Sequence, residues 1–457
     1  MTDAIDAQVA ASLFKAYDVR GLAPGELSPE LAYRIGRAIV AEFGVDAVAV
    51  GRDMRTTGQL LSGSLIDGIR DQGADVTDLG LVSTDALYFA VGKYGFPAGV
   101  MITASHNPPE YNGFKLCREQ ARAVSFEEGI KQIRDRAVAN DLPAMPEKRG
   151  DRFDKDVIEA YAEHVLGLID ISAIMPLKIA IDAGNGMAGK TVPVVFEKLP
   201  VEVVPLYFEL DGTFPNHLAN PLEPENVRDL QQAVIDTGAD FGLAFDGDAD
   251  RVFLIDEKGQ AIGGDMVTAM VAIALLSQHP YSTICYNLIC SRSVPEAIVK
   301  HGGQPVRTPV GHSLIKKIMR DEDAIFGGEH SGHFYFRDNW YADSGLIAAL
   351  TVLQLVSEQG KPVSEVLAPL DTRFRSGELN YRVSDAKQVM AEIQARFVAK
   401  GGAVDHLDGI TVQFPEWWFS LRASNTEPLL RLNVEADNEK LLAAKTAEVR
   451  AMIPVAS

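Results

Sequence analysis

The sequence predicts an α/β protein of three similar mixed α/β domains plus a smaller C-terminal α+β domain. Length is the first ground. At about 150 residues per domain, 457 residues imply roughly three domains. Rhythm is the second: strand-like apolar runs alternate with helix-like runs through most of the chain, as α/β units require. The third is a change of class near the C-terminus, where several strand-like runs precede one closing helix.

The first domain, 1–152, sets strand-like "AVAVG" and "AGVMIT" among helix-like "PELAYRIGRAIVAEFG" and "GQLLSGSLIDGIRDQG". Glycine closes both helices, where a left-handed residue ends the last turn. The polar, proline-broken stretch "NDLPAMPEKRGDRFDKD" marks the boundary. The second domain, 153–259, opens on the strand–loop–helix "LKIAIDAGNGMAGK". It continues through "VEVVPLYFE" and a helix-like run from Asn226 to "DFGLAFDGDADRVFLID", which reads as one strand. The third, 260–368, alternates helix "GDMVTAMVAIALLSQ", strand "STICYNLIC", helix "SRSVPEAIVKHGG" and strand "AIFGGEHSGHFYF". A linker, "APLDTRFRSGELNYRV", leads into the fourth, 369–457, with "DGITVQF", "WWFSLRAS", "LLRLNVEA" and the helix "NEKLLAAKTAEVRAMI".

Composition narrows the function. Hydrophobic residues make up 47%, so each domain can bury a core. A net charge of −20 argues against nucleic acid or an anionic membrane surface as partner. Three cysteines without C-x-x-C spacing argue against a disulfide framework or structural zinc, and fit a reducing compartment. The first residues carry two acids before any base and no apolar h-region, so no signal peptide is expected and the expected location is cytoplasmic. The longest apolar stretch, "MVTAMVAIALL", is too short to span a bilayer and reads as a buried helix.

Five stretches carry candidate chemistry. In "GVMITASHNPPEYNGFK" a strand runs out at Ser105, and two prolines force an irregular turn. A serine on a rigid loop at a strand end is placed as a nucleophile, and Lys115 downstream can offset phosphoryl charge or move a proton. In "AFDGDADR", Asp246, Asp248 and Asp250 alternate with Gly and Ala, so an extended backbone would point all three to one side. Converging carboxylates call for a cation, and an all-oxygen set suits Mg²⁺ or Ca²⁺. In "FGGEHSGHFYF", Glu329 and Ser331 suit vicinal sugar hydroxyls, and His333 can exchange a proton. In "RASNTEP", Arg422, Ser424, Asn425 and Thr426 make an anion-binding loop by composition. "TPVGHSLIKK" puts His312 before a basic helix, whose N-terminus favours anions.

Taken together and in order, "KAYDVRG" (15–21), "TASHNP" (103–108), "DGDADR" (246–251), "GEHSGH" (328–333) and "RASNTEP" (422–428) resemble the α-D-phosphohexomutase family, of the bacterial phosphomannomutase/phosphoglucomutase type, across almost the whole chain. The resemblance implies four domains around a central active-site cleft. It implies Ser105, Lys115, His333 and Arg20 as the catalytic set, with Ser105 carried as phosphoserine and Lys115 and His333 as the acid/base pair. Asp246, Asp248 and Asp250, with a phosphoserine oxygen, would hold Mg²⁺. Glu329 and Ser331 would hold sugar hydroxyls, Arg422, Ser424, Asn425 and Thr426 the idle phosphate, and Tyr17, Arg251 and His312 would line the cleft.

The implied reaction interconverts hexose 1- and 6-phosphates of glucose and/or mannose through a hexose 1,6-bisphosphate, feeding nucleotide-sugar and polysaccharide synthesis. The expected partners are small-molecule sugar phosphates, and the expected state is a monomer. "GEHSGH" favours the hexose branch over phosphoglucosamine mutase, which usually has glutamine where His330 stands. One departure concerns a family lysine near "CYNLICSR", for which Asn287 or Arg292 is the candidate replacement.

The chief rival is a nucleotide. "DAGNGMAGKTV" contains Gly184, Gly189, Lys190 and Thr191 at P-loop spacing, and G-x-G-x-x-G besides. On the mutase reading these glycines only let the chain turn out of its strand, and Lys190 is a solvated helix residue. Other rivals are a phosphatase using Asp246 as nucleophile and a sugar-phosphate-binding regulator.

Overall fold

The computed structural model describes residues 6–423 and 429–454, and the side chain of His312 is outside that description. Ser424, Asn425 and Thr426 therefore lie outside the described residues.

The first sheet runs Asp18–Leu22, Tyr111–Arg118, Ala98–Ile102, Ala47–Arg52, Asp75–Leu81, Arg152–Asp154, with Arg122–Ala123 beside Tyr111–Arg118. Strands Ala98–Ile102, Ala47–Arg52, Asp75–Leu81 and Arg152–Asp154 are mutually parallel, so their carboxyl ends share one edge, whereas Tyr111–Arg118 is antiparallel to both of its neighbours. Strand Arg152–Asp154 carries this sheet past the boundary expected at 152. The second sheet runs Ala261–Ile262, Val252–Asp256, Phe241–Phe245, Lys178–Asp182, Glu202–Leu206, and so passes residue 259. The third runs Gln304–Thr308, Thr283–Asn287, Phe326–Gly328, Phe334–Phe336, Ala342–Asp343. The fourth is wholly antiparallel and runs Phe374–Arg382, Leu429–Ala436, Trp417–Ala423, Ile410–Gln413, Ala403–Asp405.

Two expected strands are hairpins. "DFGLAFDGDADRVFLID" divides into antiparallel Phe241–Phe245 and Val252–Asp256, leaving the three aspartates in the connecting loop. "AIFGGEHSGHFYF" divides likewise into Phe326–Gly328 and Phe334–Phe336, with 329–333 as its loop.

Helix ends follow local chemistry. Helix Pro29–Phe43 starts where the Ser28 hydroxyl accepts from the Leu31 amide, and Pro29 stands at its first turn. It ends at Gly44, whose φ of 62° allows the left-handed cap. Helix Gly264–Gln278 is buried along most of its length, and the Thr268 hydroxyl donates to the Gly264 carbonyl at 2.8 Å. Among the described residues no helix is long and apolar enough to cross a membrane.

One apolar core runs through the first three domains, joining Leu87 and Phe89 to Phe241, Met270, Phe334 and Leu350. The far face of the first sheet has its own core around Leu31, Ile35 and Leu65. So does the fourth domain, around Phe397, Phe419 and Leu432. The fourth domain meets the third through charged groups. Arg307 pairs with Asp405, Arg373 with Glu296 at 2.9 Å, and Arg375 with Asp265 at 3.2 Å. Arg292 donates to the Phe414 carbonyl at 2.9 Å.

Candidate active site

The carboxyl end of strand Ala98–Ile102 leads into the loop that carries Ser105. Ser105 is 4% exposed and has φ of 51°, a left-handed conformation that is uncommon away from glycine. Its Oγ donates to Asp246 Oδ2 at 2.8 Å and lies 3.2 Å from His106 Nδ1. The Arg251 charge, helped by burial and by Arg20, holds the His106 pKa well below the usual imidazole value. Arg20, on the edge strand Asp18–Leu22, reaches the same loop through Asn107 Oδ1 at 2.6 Å.

Loop 246–251 packs directly against this serine. A Cβ at Gly247 would stand 2.5 Å from the Ser105 carbonyl oxygen, so the approach requires glycine there. Asp246, Asp248 and Asp250 are all buried, and each offers an oxygen within 4.8 Å of the others. A turn with Ala249 at φ of 61° gathers them, in place of the extended backbone expected from their alternation. Arg251 Nε donates to Asp246 Oδ2 at 2.8 Å, and the Thr84 hydroxyl to Asp248 Oδ2 at 2.6 Å. Burial, against the pull of Arg251, pushes the Asp246 carboxyl up to about 7.

Lys115 Nζ donates to Asp248 Oδ2 at 2.7 Å and Asp250 Oδ2 at 2.5 Å. Burial alone would lower its pKa, but the facing carboxylates raise it well above the ordinary lysine value. Asp248 Oδ1 and Asp250 Oδ1 remain buried without a hydrogen-bond donor among the described residues. Unsatisfied anionic oxygens in an all-oxygen cluster fit Mg²⁺.

The third loop docks on the second through a bridge between Arg251 and His333. His333 Nε2 lies 3.8 Å from Asp250 Oδ1, and its Nδ1 lies 3.1 Å from Ser331 Oγ. Burial lowers the His333 pKa, leaving the ring neutral near pH 7. Asp343 joins His333 and Asp250 in a second cluster of possible metal donors, and also pairs with buried Lys316 at 2.5 Å.

These residues open on a cleft of about 510 Å³, lined among others by Tyr17, Arg20, Ser105, Lys115, Asp250, His333 and Arg422. Asp246, Asp248 and Arg251 stand buried behind it. Glu329 is not on its lining. That carboxylate accepts from Tyr335 at 2.6 Å and from the Gly311 amide at 3.2 Å. Ser331 is likewise held back by His333.

Arg422 pairs with Glu378 at 3.1 Å and Asp408 at 3.3 Å. Neither candidate for the missing lysine lines the cleft. Asn287 is fully buried against Glu329, and Arg292 is spent on domain-four carbonyls. Lys15, the first residue of "KAYDVRG", and Arg431, which no motif covers, line it instead.

The glycine-rich segment 184–191 faces inward. A Cβ at Gly189 would meet the Phe208 carbonyl oxygen at 2.0 Å, and the Met187 amide donates to the Gly247 carbonyl at 2.9 Å. Thr191 is buried, its hydroxyl 3.4 Å from the Met187 carbonyl. Lys190 differs from expectation: it is half-buried, with Nζ on the Leu81 carbonyl of the first domain at 2.8 Å. The side chain reaches across to the first domain and lines a cavity of about 540 Å³ there with Arg52, Arg152 and Lys155. The loop thus buttresses the acidic loop and leaves no cradle of free amides.

Residues 11–143, 159–259 and 263–373 match phosphoglucomutase/phosphomannomutase alpha/beta/alpha domains I, II and III, and 378–452 match the C-terminal domain. A phosphomannomutase of Salmonella montevideo is 41% identical over 95% of this chain and 97% of its own. Phosphohexose mutases of Xanthomonas campestris pv. campestris are 42% identical over 95% and 98%. The crystal structure of a phosphoglucomutase/phosphomannomutase family protein from Burkholderia thailandensis superposes with a TM-score of 0.89 at 35% identity, covering 97% of each chain. Fold, cleft and these likenesses agree: the chain belongs to the phosphoglucomutase/phosphomannomutase family.

Proposed function

We propose that this isomerase interconverts hexose 1-phosphate and hexose 6-phosphate, of glucose and/or mannose, through phosphorylated Ser105 and a bound hexose 1,6-bisphosphate, supplying sugar phosphates for nucleotide-sugar and polysaccharide synthesis. One observation carries the reading. The Ser105 hydroxyl sits 2.8 Å from a buried carboxylate, in a cleft that also draws Arg422 from the fourth domain.

In the first transfer the P–O bond to Ser105 Oγ breaks as a bond forms from phosphorus to the free sugar hydroxyl. The hydroxyl proton passes to neutral His333. The bisphosphate turns round, and its other phosphoryl group returns to Ser105 Oγ with the proton flow reversed. No phosphate is consumed, so no nucleotide is required. Lys115, held protonated, and Arg20, beside the serine loop, offset charge on the transferring phosphoryl group, and Arg422 supplies a cation for the phosphate that is not reacting. Mg²⁺, when bound by Asp246, Asp248, Asp250 and a phosphoserine oxygen, neutralises charge on the transferring group.

The test is a mutase assay on glucose 1-phosphate and mannose 1-phosphate, with and without bisphosphate, beside intact-mass analysis of the enzyme. Isomerisation of one or both sugars and phosphate on Ser105 are expected. Phosphate found only elsewhere, or a Ser105→Ala enzyme at full rate, refutes the reading.

A further inference from the structure

We propose that the buried Asp53–Arg55 ion pair is the positioning device for phosphoryl transfer at Ser105, fixing the backbone on both sides of that residue. The proposal rests on the reading of Ser105 as phosphoryl carrier. Neither residue lines the cleft, and neither is in contact with Ser105 Oγ.

The serine loop carries consecutive prolines, Pro108 and Pro109, which cannot donate to the loop's own carbonyls. Arg55 meets the acceptors instead. Its Nη2 donates to the carbonyls of Ser105 at 2.8 Å and Asn107 at 2.6 Å. Its Nη1 donates to those of Pro108 at 2.7 Å and Tyr111 at 2.9 Å. Four carbonyls on one guanidinium use the planar fork of donors that only arginine has; lysine offers three N–H groups from a single point.

Asp53 completes the arrangement. It accepts from the Arg55 amide at 3.0 Å and faces Arg55 Nε at 3.3 Å, with both side chains at 0% exposure. Burial pushes its carboxyl up to about 6, against the opposing pull of Arg55 and of the Thr103 hydroxyl beside it. Thr103 Oγ1 in turn accepts the Ser105 amide at 2.8 Å. The N–H of Ser105 is thus tied to Asp53 through Thr103, and its carbonyl is tied directly to Arg55. That over-determines a left-handed φ which serine adopts only under constraint.

The second domain closes the site. The Phe214 ring lies 5.2 Å from Arg55 Cζ, and a Cβ at Gly212 would stand 2.6 Å from Arg55 Cα. The clamp therefore registers the serine loop against the domain that carries Asp246.

Arg55→Lys keeps the charge and loses the fork, and Asp53→Asn keeps the shape and loses the charge. For both we expect kcat to fall at least about a hundredfold, with KM for hexose 1-phosphate within about threefold, because neither side chain touches the sugar. Phosphorylation of Ser105 by glucose 1,6-bisphosphate, followed by intact mass, should slow in step with kcat. A purely structural role would lower Tm and the active fraction but leave the phosphorylation rate of the folded fraction unchanged. That result, or wild-type kcat in either variant, overturns the proposal. If Arg55→Lys does not fold, Asp53→Asn decides. Wild-type enzyme that never takes phosphate on Ser105 refutes the carrier reading itself; wild-type and variant enzymes phosphorylated equally fast refute only the clamp.

Discussion

Lys190 stands in a segment that spells a phosphate loop, yet its ammonium is occupied by the Leu81 carbonyl. Its loss should therefore register in stability and not in turnover. Lys190→Ala is expected to change kcat/KM by less than about threefold, while Tm drops by the equivalent of about 1.5–3 kcal/mol for one charged hydrogen bond. Lys115→Ala should cost about a hundredfold or more in kcat, since Lys115 holds two metal-site carboxylates and faces the cleft. Steady-state kinetics on both variants decides; reversed effects would revive the nucleotide reading. Ser105, Lys115, the three aspartates and His333 were legible because each lies in a short motif of polar groups beside an apolar strand. Arg55 was not, since its acceptors lie 50 to 56 residues further on and nothing local to "GRDMRTTG" points to them.

Elements explain why the same motifs misled in detail. Asp alternating with Gly and Ala fits an extended strand, but small residues fit a tight hairpin loop as well, and the hairpin wins. Strands Phe241–Phe245 and Val252–Asp256 are both buried along their whole length, so the turn between them must be compact. Gly247 packs so tightly on the serine loop that a Cβ there would stand 2.5 Å from the Ser105 carbonyl oxygen. Gly247→Ala should push the two loops apart, lowering stability by about 1–3 kcal/mol and kcat by more than about tenfold. Thermal melts and kinetics on one preparation test this; unchanged kcat would show that the contact does not set the distance from Ser105 to Asp246. Glu329 illustrates the reverse case. The sequence placed it on an edge facing sugar, whereas Tyr335, across its own hairpin, and the Gly311 amide of a separate segment bond its carboxylate, contacts that a single-strand reading does not show.

At the scale of the molecule, Asp85 joins three domains. It sits on helix Thr84–Tyr94 and accepts from Ser83, from Tyr161 of the second domain and from Ser344 of the third, the last at 2.7 Å. Burial pushes its carboxyl from 3.8 up to about 6 despite these donors. A pKa raised in the folded state contributes stability fully below about pH 4, and that contribution fades as pH climbs through about 6. The Tm gap between wild type and Asp85→Asn should therefore narrow by the equivalent of about 1–2 kcal/mol from pH 5 to pH 7.5. A gap independent of pH would show that Asp85 does not titrate in this window. The four-part architecture was legible from length, rhythm and the change of class near the C-terminus. The continuity of one core through three of its parts was not, because side chains that meet across domain seams leave no periodic trace in the chain.

The fourth domain's separate core and charged border give it a different physics from its neighbours. Dissolved ions act on such a border and barely touch an apolar one, because the Debye length shrinks from about 10 Å at 0.1 M to about 3 Å at 1 M. Ionic strength then becomes a control on one joint of the molecule. In scanning calorimetry a single endotherm at low salt should split at 1 M, with the C-terminal unit melting first; a single peak at both salts would show an undivided unit. Since Arg422 enters the cleft on that unit, its grip on an anion would loosen under the same conditions that free the joint.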